Sequence, residues 1–363
     1  MATSAAPLGT VRHNLPAFLT RVIGRERELA DLQARLADAR LLTLTGVGGC
    51  GKTRLALELA RVVMDHYRDG VWLVELAPLG DAELVPHSVA AAVGVHETAG
   101  QPTIDALGTR LRTRRLLLVL DNCEHLLEAC ARLVDALLRT CPDVHVLTTS
   151  RETLGITGEI AWRVPSLAVP DLQRRPPVVE LQRNPAVRLF TERAVAVQPH
   201  FVLSERNSAA VAEVCARLDG IPLALELAAA RMAVLSVDQL ATRLDQCFRL
   251  LTGGSRTALP RHQTLRAALD WSYELLTESE RCLLNRLAVF AGGSSLEAAE
   301  AVCAGEAIEQ QDVLDLLGRL VNKSLVVALE DPDCGGRHRL LEPVRRYAHE
   351  QLKSFLIALT RCA

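Results

Sequence analysis

The stretch that decides the fold is LLTLTGVGGCGKTRLALELA, residues 41–60. It opens with an apolar run of strand length, crosses four glycines in six residues, and continues with the spacing of an amphipathic helix. The chain has only three lysines against 38 arginines, and Lys52 follows these glycines directly. A glycine-rich loop between a strand and a helix that ends in Gly-Lys-Thr predicts a phosphate-binding loop.

The chemistry of this motif assigns a role to each residue type. Glycines let backbone N–H groups wrap a phosphate, and the helix N-terminus adds partial positive charge. Lys52 is expected to reach the β- and γ-phosphates, and Thr53 to ligate Mg²⁺. The alternative is a glycine-rich turn that binds no ligand. The predicted nucleotide contacts of this segment are Gly46, Val47, Gly48, Gly49, Cys50, Gly51, Lys52, Thr53 and Arg54.

The second candidate feature is an acidic residue after the apolar run of residues 115–120, where Asp121 ends the sequence LLLVLD. Paired with the glycine loop, Asp121 is predicted to hold Mg²⁺ together with Thr53; the alternative is that it caps the following helix. The next residue is Asn122, so no carboxylate at that position can polarise an attacking water. Glu124 and His125 are candidate substitutes, while Glu124 also suits the first turn of a helix.

A third polar element follows the apolar run of residues 144–149, which ends in Ser-Arg-Glu. An arginine at the tip of a strand beside the phosphate loop can meet a γ-phosphate, which makes Arg151 a candidate sensor. The alternative is a surface salt bridge between Arg151 and Glu152. Lys52, Asp121 and Arg151 are therefore the predicted catalytic residues.

The order of elements predicts an α/β fold: a P-loop parallel sheet, then a helical bundle and a winged-helix domain. Apolar runs at 41–46, 71–76, 115–120 and 144–149 alternate with helical patterns at 52–65, 82–93, 103–112 and 124–139. The predicted domains are an N-terminal extension (1–18), a nucleotide-binding domain (19–168), a linker (169–185), a helical domain (186–255), a winged-helix-like domain (256–352) and a tail (353–363).

Composition narrows the class of protein. Hydrophobic residues make up 49% of the 363 residues and charged residues 23%, with a net charge of −2, as in soluble globular proteins. No apolar run reaches the roughly 18 residues of a membrane span, and the N-terminus lacks the pattern of a signal peptide. We therefore expect a cytoplasmic protein without membrane contact. Ten scattered cysteines predict buried free thiols rather than a zinc site.

Four further stretches carry a resemblance to a known family. They are LTRVIGRERELADL (19–32), DGIPLALELAAARM (219–232), the region 261–303, and RHRLLEPVRRYAHEQL (337–352). With the phosphate loop, they resemble the STAND class of P-loop NTPases, in the NB-ARC-like form of bacterial LuxR/AfsR-type regulators. The resemblance implies that Ile23, Gly24 and Arg25 lie near an adenine base, and that Pro222 packs on it.

The resemblance implies an ATP/ADP-binding switch with slow ATPase activity, acting in signal transduction or transcription. ADP would favour a closed form and ATP an open form, with self-assembly in the ATP state left open. DNA binding is expected only through regions beyond this chain, or weakly through the winged helix. The alternatives are a dedicated ATPase of fast turnover and a DNA-binding regulator acting through the winged helix.

One departure from the family pattern concerns the closing motif. Relatives in plants and animals carry a His-Asp pair whose histidine touches the ADP phosphate, whereas this chain has Leu341 and Glu342. Leucine cannot donate a hydrogen bond, so any latch on ADP is expected to use another residue, with Arg339 and His338 as the candidates.

Overall fold

The computed structural model describes residues 12–17, 20–96, 101–174, 176–244, 251, 264–305, 307–331 and 335–362, with the backbone alone for 331, 335 and 355–362. The chain divides into two compact units. The first comprises Met1–Val22, Glu26–Thr45 and Lys52–Arg163; the second comprises Ile23–Arg25, Gly46–Gly51 and Val164–Ala363. Most of the predicted N-terminal extension and the whole segment 252–263 lie outside the described residues. The domain boundaries stay predictions.

The first unit is built on a five-stranded sheet in the order β2-β3-β4-β1-β5, in which every neighbouring pair is parallel. All five strands therefore end at the same edge. Strands β1 and β3 are buried along their whole length, as expected for the centre of a parallel sheet. The strands are β1 Leu41–Thr45, β2 Val71–Glu75, β3 Leu116–Asp121, β4 Val144–Thr149 and β5 Glu159–Arg163.

The fifth strand is absent from the pattern predicted by the sequence. Strand β5 pairs only with β1, so it forms an edge of the sheet and none of its five residues is fully buried. An edge strand needs no continuous apolar run, and Glu-Ile-Ala-Trp-Arg has none. The periodicity that predicted the other four strands could not predict this one.

Five helices accompany the sheet: α1 Glu26–Asp38, α2 Lys52–Val62, α3 Leu84–Val93, α4 Thr103–Leu111 and α5 Leu127–Thr140. The predicted start of the last helix at residue 124 is wrong by three residues. Asn122 has a left-handed backbone (φ 65°), and Cys123–His125 form a 3₁₀ turn before α5 begins. The strand therefore turns sharply at its carboxyl end, which keeps Asp121 at the sheet edge.

The second unit is helical apart from one antiparallel hairpin, β6 Val326–Asp331 and β7 Gly335–Leu340. A single bridge between Ser294 and His338 adds a third short strand segment to the hairpin. Its helices are α6 Val178–Leu181, α7 Pro185–Val197, α8 Ser208–Arg217, α9 Pro222–Ala230, α10 Val237–Arg243, α11 Leu265–Glu274, α12 Glu278–Leu287, α13 Leu296–Cys303, α14 Val313–Asn322 and α15 Glu342–Cys362.

Five helices among the described residues of this unit begin at a residue whose side chain caps the helix. Asn184, Ser236, Thr264, Thr277 and Ser295 each accept a backbone N–H at the start of a helix. Helices α11 to α14, the hairpin and α15 form the predicted winged-helix arrangement. The predicted fold class is confirmed: a parallel α/β sheet, a helical region and a winged helix.

Membrane helices and cysteines were also considered from composition. A helix with the length and hydropathy of a membrane span does not occur in the described part of the chain. Seven cysteines in the described residues carry free thiols, and six of these are buried.

Candidate nucleotide site

The shape of the glycine loop depends on positions that other residues would not fit well. Gly49 has a φ of 82°, and a Cβ there would lie 2.8 Å from the Leu223 Cβ. Gly51 has a φ of 94°, and a Cβ built on it meets no atom of the described residues within 4 Å. Glycine is required at position 49 by close packing against Leu223 and at position 51 by the left-handed backbone conformation. The space beside Gly51 is therefore open for a ligand, as a phosphate cradle requires.

Arg25 holds the loop from behind. Its side chain is buried, and its Nη2 donates to the carbonyl oxygens of Pro165 at 2.6 Å and Cys50 at 3.3 Å. Burying a guanidinium is costly unless it is hydrogen-bonded, so these contacts fix the loop firmly. The neighbouring Gly24 has a φ of 67° and packs on Pro185, while Ile23 is buried. Arg25 therefore contacts the loop within the second unit, while the contact of Ile23, Gly24 and Arg25 with an adenine stays a prediction.

Helix α9 contacts the same loop directly. Pro222 is its first residue, and the next backbone N–H, that of Leu223, donates to the Gly49 carbonyl oxygen at 3.1 Å. Proline suits this position because the first helical N–H has no partner within the helix. The predicted motif around Pro222 and the glycine loop therefore meet within the second unit.

In the first unit, Asp121 lies at the carboxyl end of β3 and is buried. Its Oδ1 accepts hydrogen bonds from the Thr53 hydroxyl at 2.7 Å and from the Thr149 hydroxyl at 2.5 Å. The sequence predicted the proximity of Thr53 and Asp121 but not the part played by Thr149. A pair of hard oxygens from Thr53 and Asp121 is the kind of donor set that Mg²⁺ prefers.

Asn122 supports Asp121 rather than an attacking water. Its Nδ2 donates to Asp121 Oδ2 at 2.6 Å, and its backbone N–H donates to Thr149 Oγ1 at 3.0 Å. Asparagine is among the few residues that adopt a left-handed backbone readily, which fits its φ of 65°. Burial raises the pKa of Asp121, and the hydrogen bonds from Thr149 and Thr53 act against that rise.

Arg151 is buried at the end of β4 rather than placed on the surface. Its Nε lies 3.3 Å from Glu124 Oε1, and the two side chains are 8% and 3% exposed. Glu124 lies in the short 3₁₀ helix after β3, near Asp121, rather than in the first turn of α5. A buried arginine and a buried glutamate therefore face each other at the edge where β3 and β4 end.

His125, the other candidate base, has a structural role in this arrangement. Its Nε2 lies 3.1 Å from the Leu76 carbonyl oxygen and 3.0 Å from that of Leu79. Two carbonyl acceptors at one ring nitrogen require that this nitrogen carries the proton. His125 thus anchors the segment that follows β2.

Lys52 and Arg54 are the remaining predicted contacts of the loop segment. The charge of Lys52 lowers the pKa of Asp121, although less than the hydroxyl hydrogen bonds do, so the two residues are close. Arg54 Nη2 donates to the Thr20 carbonyl oxygen. Val47 and Cys50 are buried, and the Cys50 N–H donates to the Val47 carbonyl oxygen at 3.3 Å.

A second connection in the same unit joins the α9 motif to the winged helix. Asp219, three residues before Pro222, accepts the backbone N–H of Glu342 at the start of α15 and lies 3.2 Å from Arg339 Nη2. Glu342 is in turn held by Arg345 at 2.8 Å and Arg346 at 2.7 Å. The sequence drew attention to Arg339 but gave Asp219 no role; its position before Gly-Ile-Pro was the available signal.

Comparisons with known proteins agree with this arrangement. An AAA domain family model matches residues 35–156, and a winged helix-turn-helix family model matches residues 276–353. An uncharacterised Mycobacterium tuberculosis protein is 42% identical over 94% of this chain and 84% of its own length. The regulatory protein AfsR of Streptomyces griseus is 30% identical over 92% of this chain and 32% of its own. The chain belongs to the same family as this Mycobacterium tuberculosis protein, and it carries an AAA domain and a winged helix-turn-helix domain.

Longer relatives share only this part of their sequence. A Mycobacterium tuberculosis protein, named provisionally as an HTH-type transcriptional regulator, is 51% identical over 88% of this chain, which spans 35% of that protein. A solved STAND protein with a tetratricopeptide repeat sensor from Pyrococcus horikoshii aligns at 14% identity over 95% of this chain and 44% of its own. Its TM-score of 0.38 is too low to support a structural argument.

Proposed function

We propose that this chain is the nucleotide-dependent switch of a transcriptional regulator: it binds ATP and ADP with Mg²⁺ and turns ATP over slowly. The observation that carries the proposal is a continuous set of contacts within the second unit. The glycine loop contacts Leu223 through Gly49, helix α9 begins just before at Pro222, and Asp219 holds Arg339 and Glu342 of the winged helix. A ligand on the loop can therefore bias the winged helix.

The roles proposed for single residues follow from the geometry. Lys52 would neutralise the β- and γ-phosphates, and the open space beside Gly51 would admit them. Thr53 and Asp121 would hold Mg²⁺, which supplies positive charge to the phosphates when bound. Arg339 contributes to the closed form by pairing with Asp219, which replaces the histidine latch that this chain lacks.

A switch needs two states that bind its ligands with different affinity, because a ligand shifts an equilibrium only by that difference. The contacts of Asp219 with Arg339 and Glu342 would stabilise the closed state. A γ-phosphate would add charge beside Arg151 and Asp121 and so would favour a different arrangement from the one that ADP favours. This asymmetry supports a switch over a motor of fast turnover.

DNA binding by the winged helix alone is the weaker candidate. The exposed face of α14 carries Arg319 but also Asp315, and Lys323 at its end lies 2.8 Å from Glu280. A helix that reads DNA normally presents more positive charge to the phosphate backbone. Fluorescence anisotropy with a labelled mixed-sequence duplex tests this: salt-sensitive micromolar binding by this chain would favour the DNA-binding function.

The direct test of the switch is the identity of the nucleotide that the protein retains. The chain is purified without added nucleotide and denatured, and the released material is identified by ion-exchange chromatography. We expect close to one ADP per chain, and none for Lys52→Ala. Protein that is empty and turns over ATP rapidly would support the dedicated ATPase instead.

A further inference from the structure

A buried ion pair between Arg151 and Glu124 lies in the first unit, at the edge of the sheet where β3 and β4 end. Arg151 Nε and Glu124 Oε1 are 3.3 Å apart, and the side chains are 8% and 3% exposed. Both follow neighbouring strands, β3 and β4, and β4 is also the direct neighbour of β1, which leads into the glycine loop. The pair therefore lies at the edge of the sheet where β3, which carries Asp121, and β4 end.

Such a pair is an expensive way to stabilise a fold. Removing two charges from water costs several kcal/mol per ion, which the attraction between them repays only in part, so well-packed apolar residues often serve equally well. Charged pairs retained in buried sites are candidates for function, particularly when they adjoin other titratable groups. Here the charge of Glu124 raises the pKa of the neighbouring Asp121, although less than burial does. The two carboxylates therefore share one local environment.

The other polar groups after β3 are already engaged. Asn122 donates to Asp121 Oδ2 at 2.6 Å, and His125 Nε2 lies within 3.1 Å of two backbone carbonyl oxygens. Glu124 is the first carboxylate after Asp121 in the chain, and its partner Arg151 is the residue suited to meet a γ-phosphate. We expect the same arginine to contact both the γ-phosphate and this carboxylate.

We propose that Glu124 is the general base of ATP hydrolysis and that Arg151 withholds it until a γ-phosphate is bound. The inference rests on the proposed function, because it needs ATP in the site. Without a γ-phosphate, Arg151 neutralises Glu124. With one, the phosphate oxygens compete for the guanidinium, and charge-assisted bonds to phosphate are among the strongest that arginine makes. Glu124 is then released towards the attacking water.

The proposed hydrolysis requires only ATP and water as reactants. The Glu124 carboxylate accepts one proton from a water molecule while the water oxygen forms a bond to the γ-phosphorus. The bond between that phosphorus and the oxygen bridging to the β-phosphate breaks, and its electron pair stays on ADP. The proton leaves Glu124 with the inorganic phosphate or to solvent, and the carboxylate returns to Arg151.

The inference predicts an affinity change that a merely structural ion pair would not produce. Glu124→Gln weakens the hold on Arg151 while keeping the shape of the side chain, so Arg151 is more available to a γ-phosphate. We expect the affinity for AMP-PNP to rise about fivefold or more relative to ADP, a ratio within the usual range of coupling between sites. Isothermal titration calorimetry with AMP-PNP and with ADP measures both affinities. Glu128→Gln is the matched control, because Glu128 is 93% exposed and lies just beyond Glu124.

The same variant predicts a loss of turnover. In single-turnover assays with labelled ATP, Glu124→Gln should hydrolyse about 100-fold more slowly than the unchanged chain, the usual contribution of a general base. Glu124→Asp, which retracts the carboxylate by one methylene, should also be slow, and it covers the case in which the glutamine variant does not fold. Hydrolysis within threefold of the unchanged chain in either variant overturns the inference.

Failure of the inference and failure of the proposed function give different results. If the unchanged chain binds AMP-PNP and ADP but Glu124→Gln loses affinity for both in proportion, Glu124 is structural and the switch still stands. If the unchanged chain binds ATP without ever converting it to ADP, no base is needed and the inference is wrong. If it binds neither nucleotide, the proposed function is wrong and the inference falls with it.

Discussion

The carboxylate of Asp219 accepts the first backbone N–H of helix α15, that of Glu342. Asp219 itself has a left-handed backbone with a φ of 49°, and it lies in the turn between α8 and α9. One side chain thus joins the turn before Pro222 to the helix that closes the winged helix. The first four backbone N–H groups of a helix have no partner within the helix, and the Asp219 carboxylate provides a hydrogen-bond acceptor for one of them.

Replacing Asp219 should loosen this connection without unfolding the chain. Asp219→Asn keeps an acceptor for the Glu342 N–H and tolerates the left-handed backbone, but it removes the charge that faces Arg339. We expect mant-ADP to dissociate several-fold faster, in line with a contribution of about 1 kcal/mol for a half-exposed ion pair. Asp238→Asn, at an exposed position on α10, is the control. Identical dissociation rates for the two variants would exclude Asp219 as part of the latch.

The lysine of the glycine loop gives the clearest test of nucleotide binding. Lys52→Ala removes the charge expected to meet the β- and γ-phosphates and leaves the loop backbone unchanged. The unchanged chain should gain about 2.7 kcal/mol of stability when ADP is present at 100 times its dissociation constant. The variant should gain none, as a thermal melting assay will show. Lys353→Ala, on the exposed part of α15, should behave like the unchanged chain.

The acidic residue at the end of β3 should matter more for ATP than for ADP. Asp121→Asn keeps an oxygen for the Thr53 and Thr149 hydroxyls but lacks the negative charge that a divalent cation prefers. We expect Mg²⁺-dependent binding of AMP-PNP to weaken at least tenfold, with a smaller loss for ADP. Calorimetric titrations with and without Mg²⁺ make the comparison. Equal losses in both nucleotides would show that Asp121 only supports the loop structurally.

The contact between the glycine loop and α9 can be strained by one methyl group. Gly49→Ala places a Cβ 2.8 Å from the Leu223 Cβ and forces alanine into a left-handed backbone, which costs about 1–2 kcal/mol before the clash is counted. ADP binding should weaken as the loop shifts. At Gly80, a Cβ meets nothing within 4 Å in the described residues, so Gly80→Ala is a matched control. Unchanged ADP affinity in Gly49→Ala would mean that this contact does not shape the site.

An ion pair in the winged helix predicts sensitivity to acid. Lys323 Nζ lies 2.8 Å from Glu280 Oε2. Burial raises the pKa of Glu280, but hydrogen bonds from Lys323 and Thr277 outweigh it, so the pKa is lowered from 4.5. The stabilisation is therefore complete above about pH 4.5 and declines as pH falls through the lower folded-state pKa.

Two variants isolate this effect. Glu280→Gln should lower the free energy of unfolding by about 2 kcal/mol at pH 7, and the difference should shrink towards pH 3. Urea unfolding followed by circular dichroism measures both values. Glu278→Gln serves as the control, because Glu278 lies two residues earlier in the same helix and is exposed. A difference that does not change with pH would mean that the stabilisation comes from packing rather than from charge.

The sequence by itself determined the chemistry of the first unit. The central strands are continuous apolar runs because both of their faces are buried, Asp121 ends one of them, and Arg151 follows another. Carboxyl ends of parallel strands share one edge, which is why the sequence predicts that Asp121 and Arg151 lie at the same edge. Local patterns also located the winged helix, through its run of helices followed by a hairpin.

Only the tertiary structure decided which side chains pair with one another. Strand β5 escaped notice because an edge strand needs no apolar run, and Asn122 turned the chain so that Glu124 faces Arg151 instead of starting a helix. The contact of Asp219 with Glu342 joins residues 123 positions apart. Contacts of this kind depend on how the elements pack, and no short-range periodicity records that packing. The sequence therefore defined the residue types of the candidate nucleotide site, and packing defined which of them contact one another.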